Sequence, residues 1–116
     1  MFFKFIFILY SIYEMHFTIY KIYSTLPNIT EYYVGITNKF STRKSHHKKC
    51  TTNRTSKVYH RRLYRYIREN GGWDNFTIEP IEEFECETRG EGLLREQYWI
   101  DLIKPTLNKN RTTTMI

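Results

Sequence analysis

Residues 18–47, TIYKIYSTLPNITEYYVGITNKFSTRKSHH, contain the pattern that decides the fold of this chain. In residues 18–24 and 31–36, β-branched or aromatic residues alternate with others, as is typical of half-buried strands. Pro27 and the asparagine after it lie between the two runs and favour a turn, so we predict an antiparallel hairpin. Gly35, near the end of the second run, permits a close approach of other atoms that a Cβ would obstruct.

A basic segment that is compatible with a short helix follows the hairpin, over residues 39–49. Asn38 or Ser41 can cap its first turn. Arg43 and His47 are four residues apart, a spacing that places both side chains on one face of a helix. The polar stretch CTTNRTS that follows lacks periodicity, so we predict a loop there.

Residues 57–70 give the clearest helix prediction. Their apolar side chains recur at the helical spacing and form one stripe towards the core. This stripe comprises Tyr59, Leu63, Tyr66 and Ile67. Arg61, Arg65 and Arg68 lie on another face, which is either a solvated side or a ridge whose planar guanidinium groups suit phosphate oxygens. The two glycines that follow are expected to end the helix.

The rest of the chain predicts one more strand and one more helix. Residues 73–85 begin with a turn and become a strand, in which Pro80 removes a ladder donor and therefore indicates an edge or a bulge. Thr88 and Glu91 form a capping box at the start of the last helix, and Lys104, which precedes a proline, ends it. We therefore predict a small α/β (α+β) domain with a three-stranded antiparallel sheet flanked by helices.

One residue of the last helix differs in kind from its neighbours. Glu96 shares a helical stripe with Leu93, Ile100 and Ile103, at offsets of three and four residues. A carboxylate among apolar side chains is destabilising when it is buried without a partner. It must therefore pair with a cation, bind a metal ion or reach a cleft. The residues alone leave a structural ion pair and a metal ligand equally open.

The charge of the chain is distributed unevenly over its 116 residues, a length that has room for one domain. The formal net charge is +6, but residues 39–70 contain eleven Lys or Arg and one acidic residue, whereas residues 71–101 contain nine acidic residues and two Arg. The basic part indicates a polyanionic partner, with an ordinary solvated face as the simpler alternative. Two cysteines without a CxxC pair indicate neither a disulfide framework nor a zinc site.

The hairpin resembles the motif that gives its name to the GIY-YIG nuclease family. Thr18-Ile19-Tyr20 and Tyr33-Val34-Gly35 are similar to the two halves of that motif. Two departures are a threonine at the position where the family usually has glycine and a slightly long hairpin connection. Tyr23 is a second candidate for the first tyrosine, but Tyr20 agrees better because the residues after it continue the strand as in the family.

Three further pieces match the family in order and spacing. Arg43 follows Tyr33 by ten residues and His47 follows four later, as in several members of the family. Residues 95–100, REQYWI, resemble the glutamate helix of the family, and Asn108 resembles its terminal asparagine. Taken together, the five pieces cover most of the chain.

The resemblance implies a metal-dependent endonuclease that hydrolyses DNA phosphodiester bonds. It implies that Glu96 binds one divalent cation, Mg²⁺ or Mn²⁺, since these ions prefer oxygen ligands. It also implies that Tyr33 or Tyr20 helps to deprotonate the attacking water. That role requires a phenol pKa well below its free value of ~10, a shift that the metal and neighbouring cations would supply.

Other side chains acquire roles from the same resemblance. Arg43 would neutralise charge that develops on the scissile phosphate, and His47 would position water or relay a proton. Asn108 would orient the substrate or the backbone near the site. The basic side chains that we predict to bind nucleic acid are Lys44, Lys48, Lys49, Arg61, Arg65 and Arg68.

A lone catalytic module of this kind is expected to have weak sequence specificity or to obtain it from a partner protein or domain. The alternative is a catalytically inactive nucleic-acid-binding module of the same fold, which the threonine at position 18 favours. Incubation of supercoiled plasmid with Mg²⁺ distinguishes the two.

We predict the nuclease domain for residues 15–110, with an apolar N-terminal extension at residues 1–14 and a tail at residues 111–116. The apolar run of residues 1–13 is too short to span a bilayer as a helix, which needs ~20 residues. No small-residue cleavage site follows it. We therefore expect no stable membrane association and an intracellular location, in cytoplasm or nucleus. A signal peptide, or a start of translation at Met15, are the other interpretations of this run.

Overall fold

The computed structural model describes residues 15–108, within which one three-stranded antiparallel sheet is accompanied by three helices. Strand β1 spans Met15–Ser24, β2 spans Tyr33–Thr37 and β3 spans Phe76–Cys86. The strand order is β2-β1-β3, and β1 pairs antiparallel with both neighbours. The predicted fold class is thereby confirmed. The predicted extension at residues 1–14 and the predicted tail lie outside the described residues.

The hairpin of β1 and β2 forms as predicted, and its register places Tyr20 opposite Gly35. Because β1 is central, helices cover both of its faces, and Phe17, Ile19, Tyr20 and Ile22 are all buried. Tyr20 and Ile22 belong to the main core, whose other buried members are Cys50, Leu63, Tyr64, Ile67, Phe76, Ile78 and Leu107. The sheet therefore holds the first tyrosine of the motif at the centre of the molecule.

Helix α1 spans Phe40–Thr52 and extends three residues beyond the predicted end. Its N-cap residue is Lys39, without a hydrogen bond from its side chain. The prediction that Asn38 or Ser41 caps this helix is therefore wrong. The backbone N–H of Lys39 instead donates to Thr37 Oγ1 at 3.1 Å, which fixes the chain between β2 and the helix.

Helix α2 spans Arg62–Glu69, so it starts five residues later than predicted. The residues before it form turns, in which the side chain of Ser56, whose Oγ accepts from Val58 N at 3.3 Å, competes with helical hydrogen bonds. Tyr59 is therefore not on the helix. The helix ends as predicted at two glycines, where Gly72 has a φ of 88° that a Cβ would disfavour.

The predictions for β3 and for the last helix, α3, agree closely with the structure. Strand β3 lies at the sheet edge, and Pro80 pairs with Tyr20 beside an irregularity in the ladder. Helix α3 spans Arg89–Ile103, and Thr88 caps it by accepting from the backbone N–H of Glu91 at 3.2 Å. Only Gly92 is buried in α3, and Leu93 is 42% exposed, so the predicted apolar stripe is only half-buried.

Two short 3₁₀ turns complete the described chain, Trp73–Asn75 before β3 and Thr106–Asn108 after α3. Between residues 15 and 108, none of the helices has both the length and the apolar character that a membrane span requires.

Candidate active site

Two tyrosines of the hairpin meet over a glycine. Tyr20 lies opposite Gly35 in the ladder, and Tyr33 precedes Gly35 by two residues, so all three are on one face of the sheet. A Cβ on Gly35 would lie 2.5 Å from the Tyr20 hydroxyl and 3.0 Å from Tyr33 Cε2. The glycine of the motif is therefore required because the Tyr20 phenol occupies the space that a side chain would fill.

A buried chain of hydrogen bonds starts at Tyr20. Its hydroxyl oxygen is 2.8 Å from His47 Nε2, and His47 Nδ1 is 2.8 Å from the hydroxyl oxygen of Tyr64. Tyr20, His47 and Tyr64 are 1%, 2% and 5% exposed, respectively. Thr51 Oγ1 donates to the carbonyl of His47 at 2.9 Å. The sheet, α1 and α2 thus each contribute one residue to this buried series of hydrogen bonds: Tyr20, His47 and Tyr64, respectively.

Tyr33 completes the aromatic cluster and is partly exposed. Its ring centroid is 6.4 Å from that of Tyr20 and 5.9 Å from that of His47, with the histidine edge-on. The other candidate for the first tyrosine, Tyr23, points to the opposite face, where its ring centroid is 5.7 Å from that of Tyr32. Tyr20, and not Tyr23, shares a site with Tyr33.

Two opposite charges flank this cluster. Arg43 lies on α1, one turn before His47, and its charge acts to lower the pKa of both Tyr20 and Tyr33. Glu96 comes from α3, and its charge acts to raise the pKa of the same two phenols. Coulombic influence falls with distance, so both charged groups lie near the phenols. The structure therefore brings together the two tyrosines, the arginine, the histidine and the glutamate of the motif.

The buried position of the cluster sets its protonation states. Burial is the main reason that the pKa of Tyr20 and that of Tyr33 are raised, with the Glu96 charge second for Tyr33. Burial also lowers the pKa of His47 to about 4, assisted by Arg43 and His46. The phenols and the imidazole are therefore neutral at neutral pH. The lowered phenol pKa that the sequence leads us to expect is not supplied by the protein's own groups.

Glu96 is half-buried, and burial raises the pKa of its carboxyl group, while Arg89 acts to lower it. Within residues 15–108, its carboxylate forms no ion pair or hydrogen bond. Glu82, by contrast, accepts from Arg95 Nε at 2.6 Å and from the indole of Trp99 at 2.8 Å. The structural ion pair that the sequence left open for Glu96 is therefore absent from the described part of the chain.

The donor set is suited to a hard divalent cation. Among the residues that the structure describes, no three His, Cys, Asp or Glu side chains cluster as a closed metal cage would require. Mg²⁺ is commonly held by one or two carboxylates, with water and substrate phosphates as its other ligands. The Glu96 carboxylate is half-buried and has no partner within the part of the chain that the structure describes, which fits this mode of binding.

Asn108 binds the backbone of the strand that carries Tyr33. Its Oδ1 accepts from the N–H of Val34, and its Nδ2 donates to the carbonyl of Val34, both at 2.7 Å. The preceding N–H, of Leu107, donates to the carbonyl of Tyr32 at 3.1 Å. Asn108 thus closes the outer edge of β2, and its contacts are with the backbone.

The basic side chains that we predict to bind nucleic acid differ in their surroundings. Arg61 is exposed at the start of α2, and its charge acts to lower the pKa of Tyr33. Arg68 instead donates to the carbonyls of Thr51 and Tyr59, at 3.0 and 2.8 Å, and stacks on the Tyr59 ring. The remaining four are exposed on α1 and α2: Lys44, Lys48, Lys49 and Arg65.

An open cleft of about 340 Å³ lies where α1 begins, beside Arg43. Its other lining residues are Thr37, Asn38, Lys39, Thr42 and His46. The cleft is polar and carries two positive charges, which suits a segment of phosphate backbone.

Tyr64 has no role among the residues predicted from the sequence, although its hydroxyl contacts His47. The signal that identifies it is weak. Tyr64 follows Leu63 directly and precedes Ile67 by three residues, so it widens the apolar stripe of α2 by one position.

Comparison with known families agrees with this geometry. The sequence profile of the GIY-YIG catalytic domain matches residues 16–110, which contain every motif position described above.

The chain belongs to the GIY-YIG family.

Its domain is therefore that of a nuclease family. The GIY-YIG motif here begins with Thr18, whose side chain is buried opposite Thr37, so the sheet accommodates a threonine where the family usually has glycine. No curated protein and no solved structure gave a match to the chain.

Proposed function

We propose that this GIY-YIG domain is a metal-dependent endonuclease that hydrolyses phosphodiester bonds in DNA. The observation that carries the proposal is the meeting of Tyr20, Tyr33, Arg43 and Glu96, from three separate parts of the chain, with a carboxylate that has no partner among the described residues. A structural role does not require an unpaired, half-buried carboxylate beside two phenols.

Glu96 and Arg43 act on the phosphate. Glu96 would hold Mg²⁺ or Mn²⁺, and when bound such an ion supplies positive charge to the scissile phosphate and its leaving oxygen. The Arg43 guanidinium binds a phosphate oxygen and neutralises the charge that develops there. The cleft beside Arg43 accommodates a neighbouring stretch of the same strand.

Tyr33 acts on the attacking water. It is the more exposed of the two phenols, and its raised pKa keeps it protonated at neutral pH. Its hydroxyl therefore orients the water through hydrogen bonds. Tyr20 and His47 are buried and hydrogen-bonded to each other, and they support Tyr33 from the side of the core. Asn108 acts indirectly, because it fixes the strand that carries Tyr33.

DNA is held mainly through its backbone. The exposed Lys44, Lys48, Lys49, Arg61 and Arg65 supply charges that recognise phosphates irrespective of sequence. A partner protein or domain would therefore supply any sequence specificity.

The decisive experiment is incubation of supercoiled plasmid with Mg²⁺ and wild-type protein, Glu96→Gln or Asp101→Asn. Asp101 is the matched control, since it is an exposed acid of α3 whose side chain, among residues 15–108, accepts a hydrogen bond only from Gln97 of the same helix, at 2.8 Å. We expect Glu96→Gln to lower the nicking rate by about a hundredfold or more while DNA binding is retained. Equal nicking by Glu96→Gln would overturn the assignment of the site.

The inactive binding module is the second outcome of this experiment. If the wild-type protein binds plasmid but does not nick it, whichever divalent cation is added, that result would establish the inactive binding module and exclude the endonuclease.

A further inference from the structure

Helix α3 carries large apolar side chains on a face that is open to solvent. Of the five large apolar side chains that are exposed among residues 15–108, four lie on this helix. Leu94, Tyr98 and Leu102 are 73%, 48% and 60% exposed, and they follow one another at intervals of four residues. On a helix this spacing produces one continuous row, which we call the outer stripe.

The outer stripe lies on the opposite side of α3 from the candidate active site. Glu96 is half-buried, and a Cβ on Gly92 would lie 3.0 Å from Cδ2 of Phe17 in β1, so this face of the helix packs against the sheet. At 3.6 residues per turn, Glu96 projects almost opposite to Tyr98. The proposed chemistry therefore leaves the outer stripe without a role.

Apolar side chains on two opposite faces are typical of a helix that is covered on both sides. Single exposed apolar side chains are ordinary on protein surfaces, whereas contiguous ones mark a site of interaction. The outer stripe therefore indicates a binding surface, and its occupant must be apolar.

The described part of the chain begins beside the first turn of α3. Met15, the first residue of β1, pairs with Cys86 in the ladder, and α3 begins three residues after that cysteine, at Arg89. The chain that precedes Met15 therefore joins β1 close to the end of α3 from which the outer stripe starts. Residues 1–13 of that chain are MFFKFIFILYSIY, in which Lys4 is the single charged residue.

Thirteen residues are long enough to cover the outer stripe. The stripe from Leu94 to Leu102 is about 12 Å long, at 1.5 Å per residue, and a helix is about 10 Å across. An extended chain of thirteen residues reaches up to about 45 Å. The segment can therefore pass over the start of α3 and follow the stripe to its end.

We propose that residues 1–13 of this chain pack on the outer stripe of α3. The contact removes two apolar surfaces from water at once, which is favourable for both. Because the segment is attached to β1, its effective concentration at the stripe is on the order of millimolar, so it binds there ahead of a second copy of the chain. The side of α3 that carries Glu96 remains open to a substrate.

Paramagnetic NMR of the full chain tests this contact directly. A nitroxide attached through Ser11→Cys labels the segment, since Cys50 and Cys86 are both buried. We expect this label to broaden the resonances of Leu94, Tyr98 and Leu102. The matched control is the same label attached through Thr52→Cys, at the exposed end of α1, which should leave those resonances sharp.

A mixed sample separates contact within one chain from contact between two chains. It combines isotopically labelled protein without nitroxide and nitroxide-labelled protein without isotopes. Broadening within the labelled chain and none in the mixture is the expected result. Equal broadening in the mixture would assign the outer stripe to a second copy, and no broadening in either sample would leave it uncovered. Either of these two results would overturn the proposal.

Thermal unfolding of two leucine variants gives an independent test. Leu26 is an exposed leucine in the loop between β1 and β2, and it is 40% exposed, less than Leu94. From exposure alone, Leu26→Gln should therefore be the more destabilising of the two changes. If the segment covers the stripe, Leu94→Gln should instead lower the midpoint of unfolding by about 4 °C or more and reduce the broadening at Tyr98, with a smaller shift for Leu26→Gln. A smaller shift for Leu94→Gln than for Leu26→Gln would contradict the proposal. None of these measurements involves DNA, so they succeed or fail independently of the proposed function.

Discussion

His47 is the residue whose environment departs most from what its type suggests. Its ring nitrogens each contact a phenol, and burial is the main reason that its pKa is about 4. A histidine next to an arginine in a basic helix would usually be regarded as a surface group that titrates near neutral pH. Here the neutral form is part of the core, so its protonation opposes folding.

This property predicts a pH dependence of stability. Because the folded pKa of about 4 lies below the unfolded value of ~6.5, the unfolded state binds a proton first as the pH falls. The stabilisation is complete above ~6.5 and is lost as the pH falls towards 4. We expect a decrease in the free energy of unfolding of up to about 3 kcal/mol between about pH 7 and about pH 4.

Urea denaturation over this pH range measures the effect, with His47→Gln as the reference. The raised pKa of Glu96 acts with the opposite sign, but it is common to both proteins and cancels in their difference. Identical pH profiles for wild-type protein and His47→Gln would contradict the prediction.

Among the elements, β2 is a short edge strand that has contacts from outside its own hairpin. It has five residues, Tyr33–Thr37, and lies at the edge of the sheet, where its outer backbone groups lack a strand partner. Asn108 supplies that partner by bonding both the N–H and the carbonyl of Val34. The turn after α3 thus provides hydrogen bonds to the outer edge of β2 at Val34, the residue that follows Tyr33.

Asn108→Ala is therefore expected to weaken β2 as an element. It leaves the N–H and the carbonyl of Val34 without their protein partner, which should lower the free energy of unfolding by about 2 kcal/mol. Amide hydrogen exchange at Val34 should accelerate more than exchange in β3. Asn38→Ala, at an exposed position before α1, is the control and should change stability by less than about 0.5 kcal/mol. Unchanged exchange at Val34 would show that the amide clamp is dispensable.

The whole molecule separates its charges by element. Two acidic side chains of β3 have cationic partners nearby, with Glu79 close to Lys21 and Glu82 to Arg95. Glu83 lies 3.1 Å from Nε2 of His16. The three lysines of α1 are exposed and contribute half of the formal net charge of +6. The arrangement therefore leaves a positive side, next to the tyrosine cluster, that attracts a polyanion.

This asymmetry predicts the salt dependence of DNA binding. The charge reversal Lys44→Glu with Lys48→Glu should weaken binding at least about tenfold near 0.1 M salt and reduce the slope of log affinity against log salt by about 2. Lys104→Glu, outside α1 and α2, is the control and should leave the slope unchanged. Binding of DNA by all three proteins can be followed by fluorescence anisotropy. Equal slopes would place the DNA on another surface.

What the sequence by itself determines about this protein is local or is encoded by residue type and spacing. Alternation, turn residues, the Thr88 cap and the paired glycines act within a few residues of one another, so the three strands, the hairpin and the ends of α3 can be predicted. The motif residues can likewise be assigned to one site by their order. The tertiary structure alone decides where α2 starts and that Arg68 donates to the carbonyl of Thr51. It also decides that Tyr64 contacts His47 and that the pKa of both phenols, Tyr20 and Tyr33, is raised. Each of these results from burial or from contacts between residues far apart in sequence, and neither quantity is a property of a short stretch of chain.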